Sequence, residues 1–166
     1  MTRTAKLFAV ALVATFSIAQ AQQSGGGTIT RADDPLVKEL ESGYAKFAAA
    51  TRKGDLATFR AFRTVKANQA IPPNASGKDL KEMADMMAPA MTGYRFIQAD
   101  VRRDQARLAY KLKEKGELSV RVMMFEREGG SWKMGDIGES SHLGQVPPLS
   151  VALEKALANP DVQFRK

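Results

Sequence analysis

The sequence predicts an α+β fold in which N-terminal helices pack on a curved antiparallel sheet and a short helix ends the chain. Three observations lead there. Between residues 34 and 87 apolar side chains recur at helical spacing, from 94 to 139 they alternate, and "SVALEKALA" after Pro147-Pro148 returns to helical spacing.

The first helix begins at Asp34-Pro35, where the aspartate caps and the proline suits the first turn. Leu36, Leu40, Tyr44, Phe47 and Ala48 form its stripe. "RKGD" breaks the run, and Asp55 caps a second helix with Leu56, Phe59 and Phe62 on one face. Residues 68–78 are a loop by composition. Ser76 and Asp79 make a capping-box pattern opening a third helix, whose stripe is Leu80, Met83, Ala84 and Met87.

Four alternating segments follow, "YRFIQADVR", "QARLAYKLK", "ELSVRVMMFER" and "SWKMGDIGE", joined by short turns into a meander. A two-residue turn at Arg103-Asp104 puts Ile97, Ala99 and Val101 on the side of Ala106, Leu108, Tyr110 and Leu112. Bringing Leu118, Val120, Val122 and Met124 to that side requires a three-residue turn, Glu114-Lys115-Gly116. The last turn has two solutions. Glu128-Gly129-Gly130 places Trp132, Met134 and Asp136 inside; Gly129-Gly130 alone places them outside. The first is preferred because tryptophan and methionine then join the core. This register sends Tyr94, Phe96, Met123 and Phe125 outward as a candidate partner surface. The terminal helix, through Val151, Leu153 and Leu157, or a second copy of the sheet in a homodimer would cover it.

The N-terminus reads as an export signal. Arg3 and Lys6 precede a short apolar run, and Ala19-Gln20-Ala21 fits a cleavage site. Residues 1–21 are therefore expected to be removed, giving a periplasmic or secreted protein with no membrane span. Residues 22–32 read as a flexible leader, 33–142 as the domain, and 143–166 as a linker with the C-terminal helix. With no cysteine, the chain holds together by packing alone, and thiol or Cys-ligated metal chemistry is excluded. The formal net charge is +7, of which Arg3 and Lys6 supply two. Basic residues are interspersed with acids, as in "RRDQAR" and "KLKEKGE", which describes a solvated face rather than a nucleic-acid stripe.

The stretches "YAKFAAATRKGDLATFRAF" and "FEREGGSWKMGDI" resemble the nuclear transport factor 2-like superfamily, with its SnoaL-like and ketosteroid-isomerase-like domains. The resemblance covers residues 35–140 and implies a cone-shaped fold with a pocket at its wide end. On the register above, the pocket draws on Tyr44, Phe59, Met83, Met87, Tyr110, Trp132 and Asp136. Ketosteroid-isomerase-like members carry an acid in the strand after the second helix; "RTVKANQAI" at residues 63–71 has none.

Asp136 is the one candidate catalytic group, since an acid facing an apolar cavity gains a raised pKa suited to proton transfer. The alternative is that Gly135 and Gly138 bend the strand and turn Asp136 to water. His142 stands alone without metal-ligand spacing, and Met83 and Met87 share a core stripe with Leu80, which explains them without copper. No cofactor or metal is implied. The reading is an exported, non-catalytic domain that binds a small apolar ligand or a protein partner through the cone. The alternative is an isomerase, cyclase or hydratase using Asp136 with Tyr44 or Tyr110.

Overall fold

The computed structural model describes residues 26–166. The export signal expected at 1–21 and the start of the leader lie outside them. The helical layer comprises α1 (Pro35–Lys53), α2 (Leu56–Phe62), α3 (Val65–Gln69), α4 (Gly77–Glu82) and α5 (Ala84–Met87). Side-chain caps set these boundaries. The Leu36 N–H donates to the Asp34 carboxylate at 2.9 Å and the Thr58 N–H to Asp55 at 3.0 Å. Ser76 and Asp79 cap each other reciprocally. At the far end of α1, Gly54 takes the left-handed φ of 72° and returns its N–H to Ala50 and Thr51. Five residues of α3, capped by Thr64, run into the expected loop at Asn68 and Gln69 and are too few to show a period. The expected third helix is split at Met83 into α4 and α5.

The sheet contains β1 (Gly27–Ile29), β2 (Arg95–Arg102), β3 (Gln105–Glu114), β4 (Glu117–Glu128) and β5 (Ser131–His142), in chain order and antiparallel throughout. β1 corrects the leader: Gly27 to Ile29 pair with Val101 to Ala99, so part of it is an edge strand. The helical layer covers one face. α6 (Leu149–Leu157) and a 3₁₀ turn (Pro160–Val162) cover the other.

The register differs from the expected one at three places, the β3–β4 turn, the start of β2 and the β4–β5 turn. Glu114 pairs with Glu117, so the β3–β4 turn has two residues, with φ 49° at Lys115 and 81° at Gly116. Positive φ at both central positions is the favoured twist-matched hairpin turn. This inverts the expected face of β4. Met123 and Phe125 oppose Leu108 and Ala106 under the helices, while Leu118, Val120, Val122 and Met124 face α6. A bulge between Phe96 and Gln98 then turns Phe96 inward beside Tyr110 and Ile97 outward. Tyr94, Phe96, Met123 and Phe125 therefore pack on the helix side, not on an outer partner surface. The outer face is covered within the chain: Ala152, Ala156 and Val162 are buried on it, flanked by Leu149, Leu153 and Leu157, while Val151 is 49% exposed.

The β4–β5 turn is Gly129-Gly130 alone, with Glu128 opposite Ser131. Trp132 and Met134 nonetheless reach the helix side, because the inversion of β4 compensates. That core centres on Val37, Leu40, Phe47, Phe59, Leu108 and Met123, with Phe47 and Phe59 stacked at 5.1 Å. Each large apolar side chain buried there contributes roughly 1.5–3 kcal/mol.

Candidate functional site

A cleft of ≈ 280 Å³ opens between α1 and the β4–β5 hairpin. Helical spacing builds one wall: Glu39, Ser42, Gly43 and Lys46 stand at i, i+3, i+4 and i+7 along α1. Gly130, Ser131 and Trp132 make the other wall. Leu40, Phe62, Phe125 and Met134 form an apolar floor. The rim therefore carries one carboxylate, one ammonium and two hydroxyls around an apolar base.

The floor is fixed from behind. Thr64 donates its N–H to the Met134 carbonyl at 2.9 Å, and Arg63 bridges Met134 as a short parallel pair. The Arg63 guanidinium lies 5.2 Å over Phe59 and donates to the Ala67 carbonyl at 2.7 Å. Burial lowers its pKa, with the Asp136 charge acting in the opposite direction. The hairpin is tied to the helices by Lys133, which donates to the Ala61 carbonyl, and by Glu128, which accepts from the Val65 N–H at 3.1 Å. On the hairpin, Arg127 lies 5.2 Å over the Trp132 ring, and the indole N–H is buried without an acceptor among the described residues.

The seven residues expected to line the cone are not gathered in this cleft. Tyr44, Phe59 and Tyr110 belong to the buried core, Met87 packs against it, and Met83 is 39% exposed. Only Trp132 of the seven lines the cleft. Asp136 sits half-buried in the β5 bulge, where Gly135 and Asp136 together oppose Met124. The α1 residues of the cleft were missed. Their signal was Gly43, a glycine in mid-helix that no turn requires.

Further along the helix–sheet interface, side chains tie down the backbone. Three successive carbonyls between α5 and β2 are held by side chains: Ala88 by Arg52 at 3.1 Å, Pro89 by the Tyr44 hydroxyl, and Ala90 by Arg121 at 2.8 Å. Arg121 is buried and grips Glu139 with two N–H donors, at 2.8 and 3.0 Å, while stacking 4.2 Å over Tyr94. Burial works to raise the Glu139 carboxyl. Hydrogen bonds from Ser119, Tyr94 and Arg121, with the Arg121 charge, outweigh it and hold the pKa below the usual carboxylate value. Burial pushes Tyr44 up to about 12, against the charges of Arg121 and Arg52. Tyr110 is raised by burial and by its hydrogen bond to Glu41 at 2.8 Å. These groups are spent on one another and on backbone.

No family model and no curated protein matches the chain. Among solved structures it is similar to an NTF-2 like protein of unknown function from Silicibacter pomeroyi, at 14% identity. That alignment covers 64% of this chain and 96% of the other, with a TM-score of 0.38. At that score the likeness carries no argument. The α+β architecture stands on the helices and the five-stranded sheet themselves.

Proposed function

We propose that this chain is an exported, non-catalytic binding domain of the nuclear transport factor 2-like kind, taking a small, mostly apolar ligand between α1 and the β4–β5 hairpin. The observation that carries the reading is the floor of Leu40, Phe62, Phe125 and Met134 opening through a polar rim. Small-molecule sites combine an apolar base with a few polar groups, and about 300–1,000 Å³ is usual; the cleft's ≈ 280 Å³ suits a body of two or three rings. A hydroxyl nucleophile needs a base within hydrogen-bond reach. Neither Ser42 nor Ser131 hydrogen-bonds a base among the described residues, which favours binding over catalysis. Asp136 does not line the cleft, so nothing here favours the isomerase, cyclase or hydratase alternative.

The test is titration of the purified protein with the neutral probe N-phenyl-1-naphthylamine, exciting Trp132, the chain's one tryptophan. Saturable quenching with energy transfer to the probe is expected, lost when Phe62→Arg places a charge in the floor. Absence of saturable binding to the folded parent overturns the proposal.

A further inference from the structure

Gly43 stands in the interior of a 19-residue helix. Glycine there weakens the helix relative to alanine, so it calls for a reason. Packing does not supply one, because a Cβ built on Gly43 meets no atom within 4 Å. Backbone conformation does not either, since Gly43 is absent from the positive-φ residues. What the glycine does is leave a strip of bare helix backbone as the cleft wall facing the hairpin. The hairpin contributes Trp132 to the other wall, and Phe62 lies in the floor between them.

Two charges flank the bare strip on the same face of α1. Glu39 stands one turn before Gly43 and Lys46 one turn after it. Neither has an ion-pair partner among the described residues. A ligand lying along the helix therefore meets an anion at one end and a cation at the other. The net charge of +7, less the two charges of Arg3 and Lys6 that are expected to leave with the signal, remains positive and favours an anionic ligand over a cationic one.

We infer that the cleft takes a small planar aromatic carboxylate, its ring lying flat between the Gly43 backbone and Trp132 and its carboxylate directed to Lys46. The inference rests on the reading of this cleft as a binding site and adds the shape and charge of what enters it. A flat ring uses the missing side chain, because it makes van der Waals contact along a surface that a Cβ would hold away. The aromatic wall favours an aromatic ring over an aliphatic one of equal size. Lys46, not Glu39, fixes the direction in which the ligand lies, and an ammonium on the same ring would be turned the other way.

Calorimetric titration of the full mature-length protein with 2-naphthoate, and with the neutral isostere 2-naphthamide, tests this. Naphthoate is expected to bind about tenfold or more tighter than the amide, a difference of about 1.4 kcal/mol. Lys46→Gln should bring the two within about twofold by weakening naphthoate alone, as loss of one ion pair requires. Gly43→Leu should weaken both probes by about tenfold or more through blockage of the wall, without lowering the melting temperature, since leucine is the better helix former. Equal affinity for acid and amide, or indifference to Lys46→Gln, overturns the carboxylate assignment. Unchanged binding in Gly43→Leu overturns the flat placement on the helix. If both naphthalene probes fail while N-phenyl-1-naphthylamine still binds, this inference falls and the cleft reading survives; if all three fail, the cleft reading falls as well.

Discussion

Gly54, the cap of α1, and Gly77, the first residue of α4, meet backbone to backbone. A Cβ on either would stand 2.3 Å from the carbonyl oxygen of the other. No side chain can bend away from such a contact, so the two helices must shift if either glycine is replaced. Gly77→Ala should destabilise by about 1–3 kcal/mol in denaturant unfolding, the usual range for overpacking. Gly54→Ala should cost more, because its φ of 72° adds backbone strain. An unchanged midpoint for Gly77→Ala would mean the helices do not approach this closely.

The hairpin turn at Lys115-Gly116 needs positive φ at both residues, and lysine is not the residue best suited to the first. Asparagine is. Lys115→Asn should raise stability by about 0.5–1 kcal/mol. Under a three-residue turn, position 115 would not carry this preference and the melting temperature would not rise.

Trp132 packs against the helix-side core while retaining part of its surface at the cleft. Trp132→Ala should cost about 3 kcal/mol, the lower end for large aromatic truncation. Thermal unfolding matching the parent would show the side chain to be outside.

Glu139 makes stability depend on pH in a stated direction. Its folded pKa lies below the ordinary 4.5, so its contribution is present above that value and is lost as pH falls through the folded pKa. Glu126 works the other way: burial outweighs the Arg165 charge and raises its pKa, so its contribution is lost as pH rises through the raised value. The stability gap between parent and Glu139→Gln should hold from neutral pH down to the ordinary carboxylate value of 4.5 and shrink as pH falls below it. A gap that stays constant would show that the carboxylate is not held by Arg121.

Truncation after Gly144 removes α6 and uncovers Leu118, Val120, Val122 and Met124. The shortened protein should self-associate or bind a hydrophobic dye where the parent does neither. A monomeric, dye-silent truncation product would mean that the helix is not the cover.

The helix starts were legible because Asp34, Asp55 and Ser76 are local devices, each acting within three residues of itself. The strands were legible as strands but not in register. β4 is covered on both faces, so residues 118–125 are all buried and neither parity looks like the outside. A turn shorter by one residue then inverted the strand, and the Ile97 bulge inverted the start of β2, neither of which alternation alone can reveal. The site was read from the apolar stripes of the helices and the inward register of the sheet, where aromatic residues and methionines drew attention. Its helical wall is made of polar residues and one glycine, ordinary for an exposed helix until the hairpin is seen opposite.

The grip of Arg52, Tyr44 and Arg121 on the carbonyls of Ala88, Pro89 and Ala90 has a consequence for how the molecule opens. The connection between the helical layer and the sheet is here a clasp rather than a loop, held by two side chains from α1 and one from β4. Lifting it breaks three hydrogen bonds at once and uncovers both the second half of α1 and the start of β2. Amide protons in those two segments should therefore exchange with solvent as one cooperative unit. β1, attached by three residues at the sheet edge, should exchange earlier and alone. The molecule should therefore open first at its outer strand, ahead of the parting of its two layers.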